Sequence, residues 1–266
     1  MPLRKQDMIE LNADVDPISE KPPLLLLHGM MSSRNHWRLN EGLARHFRRI
    51  RVELPGHGLS PATDEPLDYT PDALVAALDH VRARLGIDRW YICGQSFGAA
   101  LTLRYALDRP EHVIAQAFSN ASAAFRTTPS PEWHMENDAR IADMQQHGRE
   151  ALRRFRFHPA HARRFQSDIR EQLTHDADNA SLTGIVNLFR FTLPDLSIRS
   201  RFGSTPVPTL LVNGRYERAF QPVREYVAAT LPCARIADLD GGHSINVEQP
   251  VLFDKEVSSF FMQFTC

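Results

Sequence analysis

Residues 94–98 read Gly-Gln-Ser-Phe-Gly, a Gly-x-Ser-x-Gly pentapeptide set between the apolar run Trp90 to Cys93 and a stretch of small residues. Gly94 and Gly98 stand where a strand turning sharply into a helix brings two backbones together, and the turn lifts the Ser96 hydroxyl clear of the sheet. Ser96 is therefore the candidate nucleophile. The Phe97 amide and the positive end of the following helix then face any oxyanion formed beside it. A serine hydroxyl is a poor nucleophile at neutral pH and needs an imidazole to take its proton and a carboxylate to orient that imidazole. His243, in Asp-Gly-Gly-His-Ser-Ile-Asn-Val-Glu-Gln-Pro, follows the last strand-like run, on a loop that Gly241 and Gly242 allow to bend toward Ser96. Glu217, three residues after Gly214, completes the order serine, acid, histidine; Asp238 and Asp240 are alternative acids, ranked lower because they lie so close to His243 in sequence. The second oxyanion donor is read as the Met30 amide, in the loop that follows Leu24 to Leu27. His28 is read as structural.

These residues need elements to hold them. Strand-like runs occur at Leu24 to Leu27, Ile50 to Leu54, Trp90 to Cys93, Val113 to Phe118, Thr209 to Val212 and Ala234 to Leu239. Between the second and third runs, Leu74, Val75, Leu78, Val81 and Leu85 recur at helical spacing. Thr70-Pro71 opens that helix as N-cap and first residue, and Gly86 closes it. A helix is expected from Phe97 to Leu107 and another from Pro250 to Phe264. Alternation of short apolar runs with helices implies an α/β fold: a mostly parallel sheet with helices on both faces. Residues 125–204 break the rhythm with helical stretches, at Asp138 to Phe157 and Ser181 to Leu193, and no convincing strand. They are read as a helical cap inserted between core segments 1–124 and 205–266.

Composition limits the partners. With 31 Lys and Arg against 32 Asp and Glu, the chain has no global attraction to nucleic acid. No apolar stretch is long enough to span a membrane, and Met1 to Asp16 lacks a signal-peptide core. Cys93, Cys233 and Cys266 have neither disulfide-framework nor zinc spacing, so a reducing cytoplasm is the expected compartment. No His-Glu-x-x-His, Gly-x-x-x-x-Gly-Lys or Gly-x-Gly-x-x-Gly motif is present, and the chemistry of a serine nucleophile calls for no cofactor and no metal.

Five ordered pieces make the chain resemble the α/β-hydrolase superfamily over nearly its whole length. They are His28-Gly29, Glu53-Leu-Pro-Gly-His-Gly-Leu-Ser60, the pentapeptide around Ser96, Gly214 to Glu217, and Gly242-His243. Two positions depart from the family pattern, which usually has Asp where Glu217 stands and Asp where Glu53 precedes Leu-Pro-Gly.

The expected substrate is a small molecule in a pocket under the cap. Met30, Met31, Trp37, Phe97, Phe125, Phe189 and Phe191 are the candidates for its apolar lining. Arg149, Arg153, Arg154, Arg156, Arg163 and Arg164 cluster on the cap with Glu150 as their nearby acid. A carboxylate-bearing substrate would suit them, although a charge run is more often a solvated helix face. The leading reading is hydrolysis of a small carboxylic ester or related acyl compound through an acyl-enzyme on Ser96. One alternative is carbon–carbon bond hydrolysis of a dienoic keto acid. Hydrolases resembling this chain that do so usually carry Trp after the catalytic His, where Ser244 stands. Another is a ligand-binding receptor on a hydrolase scaffold.

Overall fold

The computed structural model of the chain describes residues 8–264. The reading of Met1 to Asp16 lies partly, and that of Cys266 wholly, outside those residues. The elements run β1 (Ala13–Val15), β2 (Pro23–Leu27), β3 (Arg48–Val52), α1 (Pro71–Arg84), β4 (Trp90–Gln95), α2 (Phe97–Asp108), β5 (Val113–Ser119) and α3 (Pro131–His147). There follow α4 (Arg149–Arg153), α5 (Ser167–Asn179), α6 (Leu182–Asn187), β6 (Thr209–Gly214), α7 (Gln221–Thr230), β7 (Arg235–Leu239), α8 (Ile245–Glu248) and α9 (Pro250–Phe261), with short 3-10 turns between them. The strands form one sheet in the order β1-β3-β2-β4-β5-β6-β7. β1 is antiparallel to β3, and all the other pairings are parallel.

The four-leucine run of β2 shows why the sheet is covered on both sides. Successive side chains of a strand point to opposite faces, and Leu25 and Leu27 enter one apolar core while Leu24 and Leu26 enter the other. The first core is filled by α1 and α2 through residues such as Leu74, Leu78, Leu101 and Tyr105. The second is filled from α9 by Phe253, Val257, Phe260 and Phe261, together with Trp37 and Phe47. Thr70 Oγ1 accepts the Ala73 amide at 3.2 Å to cap α1, and Gly86, with φ +67°, follows its end.

Each strand read from the sequence forms within two residues at either end, and β1 is the addition. At three residues, Ala-Asp-Val, it is too short to stand out in a search for apolar runs. Besides its ladder to β3 and the packing of Ala13 and Val15 on the core, charge holds it: Asp14 sits opposite Arg51 in the ladder, and Asp16 binds Arg49 at 2.8 Å.

Residues 125–204 contain no strand. The helix expected over Asp138 to Phe157 starts earlier, at Pro131 behind the capping Ser130, and is interrupted at Gly148, whose φ of +56° takes the chain out of α3 before α4 begins. The segment from Ser181 passes from α6 into a π turn at Leu188–Thr192, closed by the Leu193 amide on Leu188 O, and Pro194, which has no amide hydrogen to donate, follows it. A separate apolar cluster of Ile141, Met144, Leu152, Ala177, Ile185 and Phe189 closes over Met31 from the loop after β2. No helix among the described residues is long and apolar enough to cross a membrane.

Candidate active site

β2 is flanked by β3 on one side and β4 on the other, so the chain reverses its direction of travel across the sheet between them. In open α/β sheets the crevice at such a reversal, beyond the carboxyl ends of the strands, is where ligands bind. Here those ends carry Gly29–Met31 and Ser96.

Ser96 occupies φ 55°, ψ −118°, a conformation that residues other than glycine rarely adopt. The turn is closed by contact: a Cβ on Gly94 would lie 2.5 Å from the Ala99 Cα, and one on Gly98 would lie 2.3 Å from the His28 carbonyl oxygen. Ser96 Oγ is 3.0 Å from His243 Nε2, and His243 Nδ1 is 2.7 Å from Glu217 Oε2. That pattern has the ring donating from Nδ1 to the carboxylate and accepting the serine proton at Nε2. Asp238 is held instead by Arg224 at 2.7 Å and Asn213 at 2.7 Å, and Asp240 by Arg215 at 3.0 Å. Both are engaged elsewhere, and Glu217 is the carboxylate that meets the imidazole.

The loops carrying acid and base are stitched together. The Tyr216 amide donates to Gly241 O at 2.8 Å and the Arg215 amide to Leu239 O at 3.0 Å. Gln95, beside Ser96, donates its Nε2 to His243 O at 3.1 Å, while Glu248 accepts the Gly242 amide at 2.7 Å. Burial pushes the Glu217 carboxyl up, but hydrogen bonds from His243 and Asn120 and the charge of His243 outweigh it and leave the group below its ordinary range.

Asn120 joins the candidate site although sequence reasoning misses it, because a search for carboxylates after β5 meets only Ser119 and Asn120. Its side-chain amide hydrogen-bonds Glu217 Oε2 and also donates to Gly242 O at 3.2 Å. The residue is fully buried at φ 50°. An Asn directly at the end of a strand is the available signal, since Asn enters the left-handed region more readily than most residues.

On the oxyanion side, the amides of Met30 and Phe97 have no hydrogen-bond partner among the described residues. The neighbouring Met31, at φ 54°, donates its amide to His57 Nε2 at 3.0 Å, and His57 Nδ1 in turn meets Pro55 O at 2.9 Å. His28 Nε2 accepts the Leu54 amide at 3.1 Å. Burial depresses both imidazoles to about 3, so they stay neutral and serve the loop as hydrogen-bonding struts.

Above Ser96 lies a cavity of about 760 Å³ lined by Met30, Met31, His36, His243, Phe157, Phe165, Tyr216 and several arginines. Trp37, Phe97, Phe125, Phe189 and Phe191 do not line it, which corrects their expected place. Trp37 is buried under the sheet against Phe253, Phe125 packs with Phe118 and Phe202, and Phe189 packs with Phe155 in the cluster over Met31. Each of these three is a large apolar side chain fully taken up by a core. Phe157, Phe165 and Tyr216 supply the aromatic lining instead.

The α/β-hydrolase fold family model matches residues 22–250, so the chain belongs to that family. A Bacillus subtilis (strain 168) protein named "Putative 2-succinyl-6-hydroxy-2,4-cyclohexadiene-1-carboxylate synthase" is 27% identical over 247 residues, covering 89% of each chain. A pimeloyl-[acyl-carrier protein] methyl ester esterase from Nitrosomonas europaea is 30% identical over 124 residues, 46% of each chain. The crystal structure of a hydrolase from Pseudomonas aeruginosa PA01 superposes with a TM-score of 0.79 at 26% identity, covering 94% of this chain and 93% of the other. The chain is thus a hydrolase of the α/β type.

Proposed function

We propose that this chain is a serine hydrolase that cleaves a small carboxylic ester or related acyl compound through an acyl-enzyme on Ser96. The observation that carries the reading is the unbroken hydrogen-bonded line from Ser96 Oγ through His243 to Glu217, open to a cavity at its serine end. Ser96 Oγ attacks the substrate carbonyl as its proton passes to His243 Nε2, and Glu217 steadies the imidazolium through Nδ1–H. The Met30 and Phe97 amides take the developing oxyanion. His243 then gives its proton to the leaving alcohol, and in the second half it draws a proton from water, which attacks the acyl-enzyme and frees the acid.

In this reading, 1–124 and 205–266 form the catalytic core and 125–204 the cap over the cavity. The name of the Nitrosomonas relative supports ester chemistry, while that of the Bacillus relative describes a synthase, so the reaction class rests on the site rather than on names. The unpaired Cys93 and Cys233 support a reducing, cytoplasmic setting.

Release of 4-nitrophenol from short acyl esters is the test. Ser96→Ala should abolish turnover while keeping the far-ultraviolet spectrum, and an active Ser96→Ala protein rules the mechanism out. Glu217→Gln should cost about a thousandfold or more in kcat. A comparable loss in Asp238→Asn or Asp240→Asn, with Glu217→Gln active, transfers the acid role. Rapid cleavage of a vinylogous 1,5-diketone with little esterase activity would replace the ester reading by carbon–carbon hydrolysis.

A further inference from the structure

The cap arginines divide into two sets. Arg153 and Arg154 do not line the cavity and are neutralised: Arg153 pairs with Asp178 at 2.6 Å, and Arg154 with Asp143 at 2.7 Å and Glu150 at 3.2 Å. Arg149 lies in the field of Asp178 as well. These behave as a solvated face should. Arg156, Arg163 and Arg164 instead line the cavity, joined by Arg218 from the acid loop. Among the described residues, the side chains of Arg156, Arg163 and Arg218 have neither an ion pair nor a hydrogen bond.

Arg164 is held rather than free. Its guanidinium lies over the Tyr216 ring at 5.1 Å, and its Nε is 3.9 Å from Glu248 Oε2, an oxygen already taken by the Gly242 amide. A Cβ on Gly242 would meet Arg164 Nη1 at 3.1 Å, so this charge stands against the residue next to His243. The carboxylates lining the same cavity are Glu217, turned onto His243, and Glu248, turned onto Gly242. A concave site with this excess of guanidinium concentrates anions.

We infer that the cavity selects acyl compounds bearing a carboxylate remote from the scissile bond, bound by Arg164 and Arg163. The inference rests on the hydrolase reading and names its substrate class. A planar guanidinium presents paired N–H donors that match a carboxylate, and stacking on Tyr216 leaves the edge of the Arg164 group available for that contact. The incoming carboxylate takes over a cation that Glu248 meets only at long range.

The test compares mono-4-nitrophenyl adipate, which carries a terminal carboxylate, with 4-nitrophenyl hexanoate, which ends in a methyl group on a chain of the same length. In the wild-type protein at low salt, kcat/KM is expected to favour the adipate. The preference should shrink about tenfold to a hundredfold in the double variant Arg163→Gln, Arg164→Gln, and it should persist in Arg153→Gln. Equal kcat/KM for the two esters, or a preference that survives the double substitution, overturns the subsite. Should neither ester be hydrolysed, the hydrolase reading fails by itself. The subsite is then decided by calorimetric titration of monomethyl adipate into Ser96→Ala protein with and without the two arginine substitutions. Tighter binding with the arginines present supports it, and equal binding overturns it.

Discussion

Asn120 adopts an unusual backbone conformation, φ 50°, that brings one amide to both Glu217 and Gly242. It does not line the cavity, and its contacts suit a residue that positions the acid. Asn120→Ala should lower kcat about tenfold with a smaller change in KM, and steady-state kinetics on a 4-nitrophenyl ester would show the split. Glu217 itself carries a pH signature. Its carboxyl titrates below its ordinary value of 4.5 in the folded protein, so its partners' stabilisation is complete above that value and is lost as pH falls through the lower native value. Urea unfolding between pH 6 and 3 should therefore fall less steeply in Glu217→Gln than in the parent. Ser96, His243 and Glu217, which the fold brings together, are legible in the sequence because each lies within three residues of a glycine at a strand end. Asn120 is not, since its contribution is an amide between two loops distant in sequence.

At the scale of elements, α2 approaches β2 so closely that Gly98 abuts the Leu27 and His28 carbonyl oxygens. Gly98→Ala should destabilise the fold by about 1–3 kcal/mol, read from the urea midpoint, because neither backbone has room to give way. α9 supplies a second titration with the opposite sign. Burial pushes the Asp254 carboxyl up from 3.8 to about 6, against hydrogen bonds from Asn40 at 2.8 Å and the Gly42 amide at 2.8 Å. The folded protein therefore holds this proton where the unfolded chain has lost it, and stability drops as pH rises from about 4 to 6, by roughly 1.4 kcal/mol for each pH interval of one. That portion of the pH dependence should vanish in Asp254→Asn. Helix starts are readable where caps mark them, as at Thr70, whereas the break at Gly148 is hidden inside a polar stretch that reads as continuous helix.

Over the whole molecule, what the sequence withholds is which large apolar side chains face the cavity and which face a core. Trp37 and Phe157 are alike in kind, yet one is enclosed beneath the sheet and the other stands at the pocket. Hydrophobicity alone carries no label for the surface it covers. Trp37→Ala should thus cost about 3–5 kcal/mol of stability, measured by urea denaturation, while the KM of the folded enzyme for a short ester stays the same. The centre of the parallel sheet is plain, because β2, β4, β5 and β6 are buried on both faces and read as mostly apolar runs. β1 escapes that logic, and its charged residues have a consequence for solution behaviour. An outermost strand offers unpaired amides to any passing chain, and charge or brevity there discourages such pairing. β1 is three residues long with Asp14 locked to Arg51, and at the opposite margin β7 carries Arg235 tied to Glu256 and Asp238 tied to Arg224. Both borders of the sheet thus carry features that discourage recruitment of a second molecule into a growing aggregate.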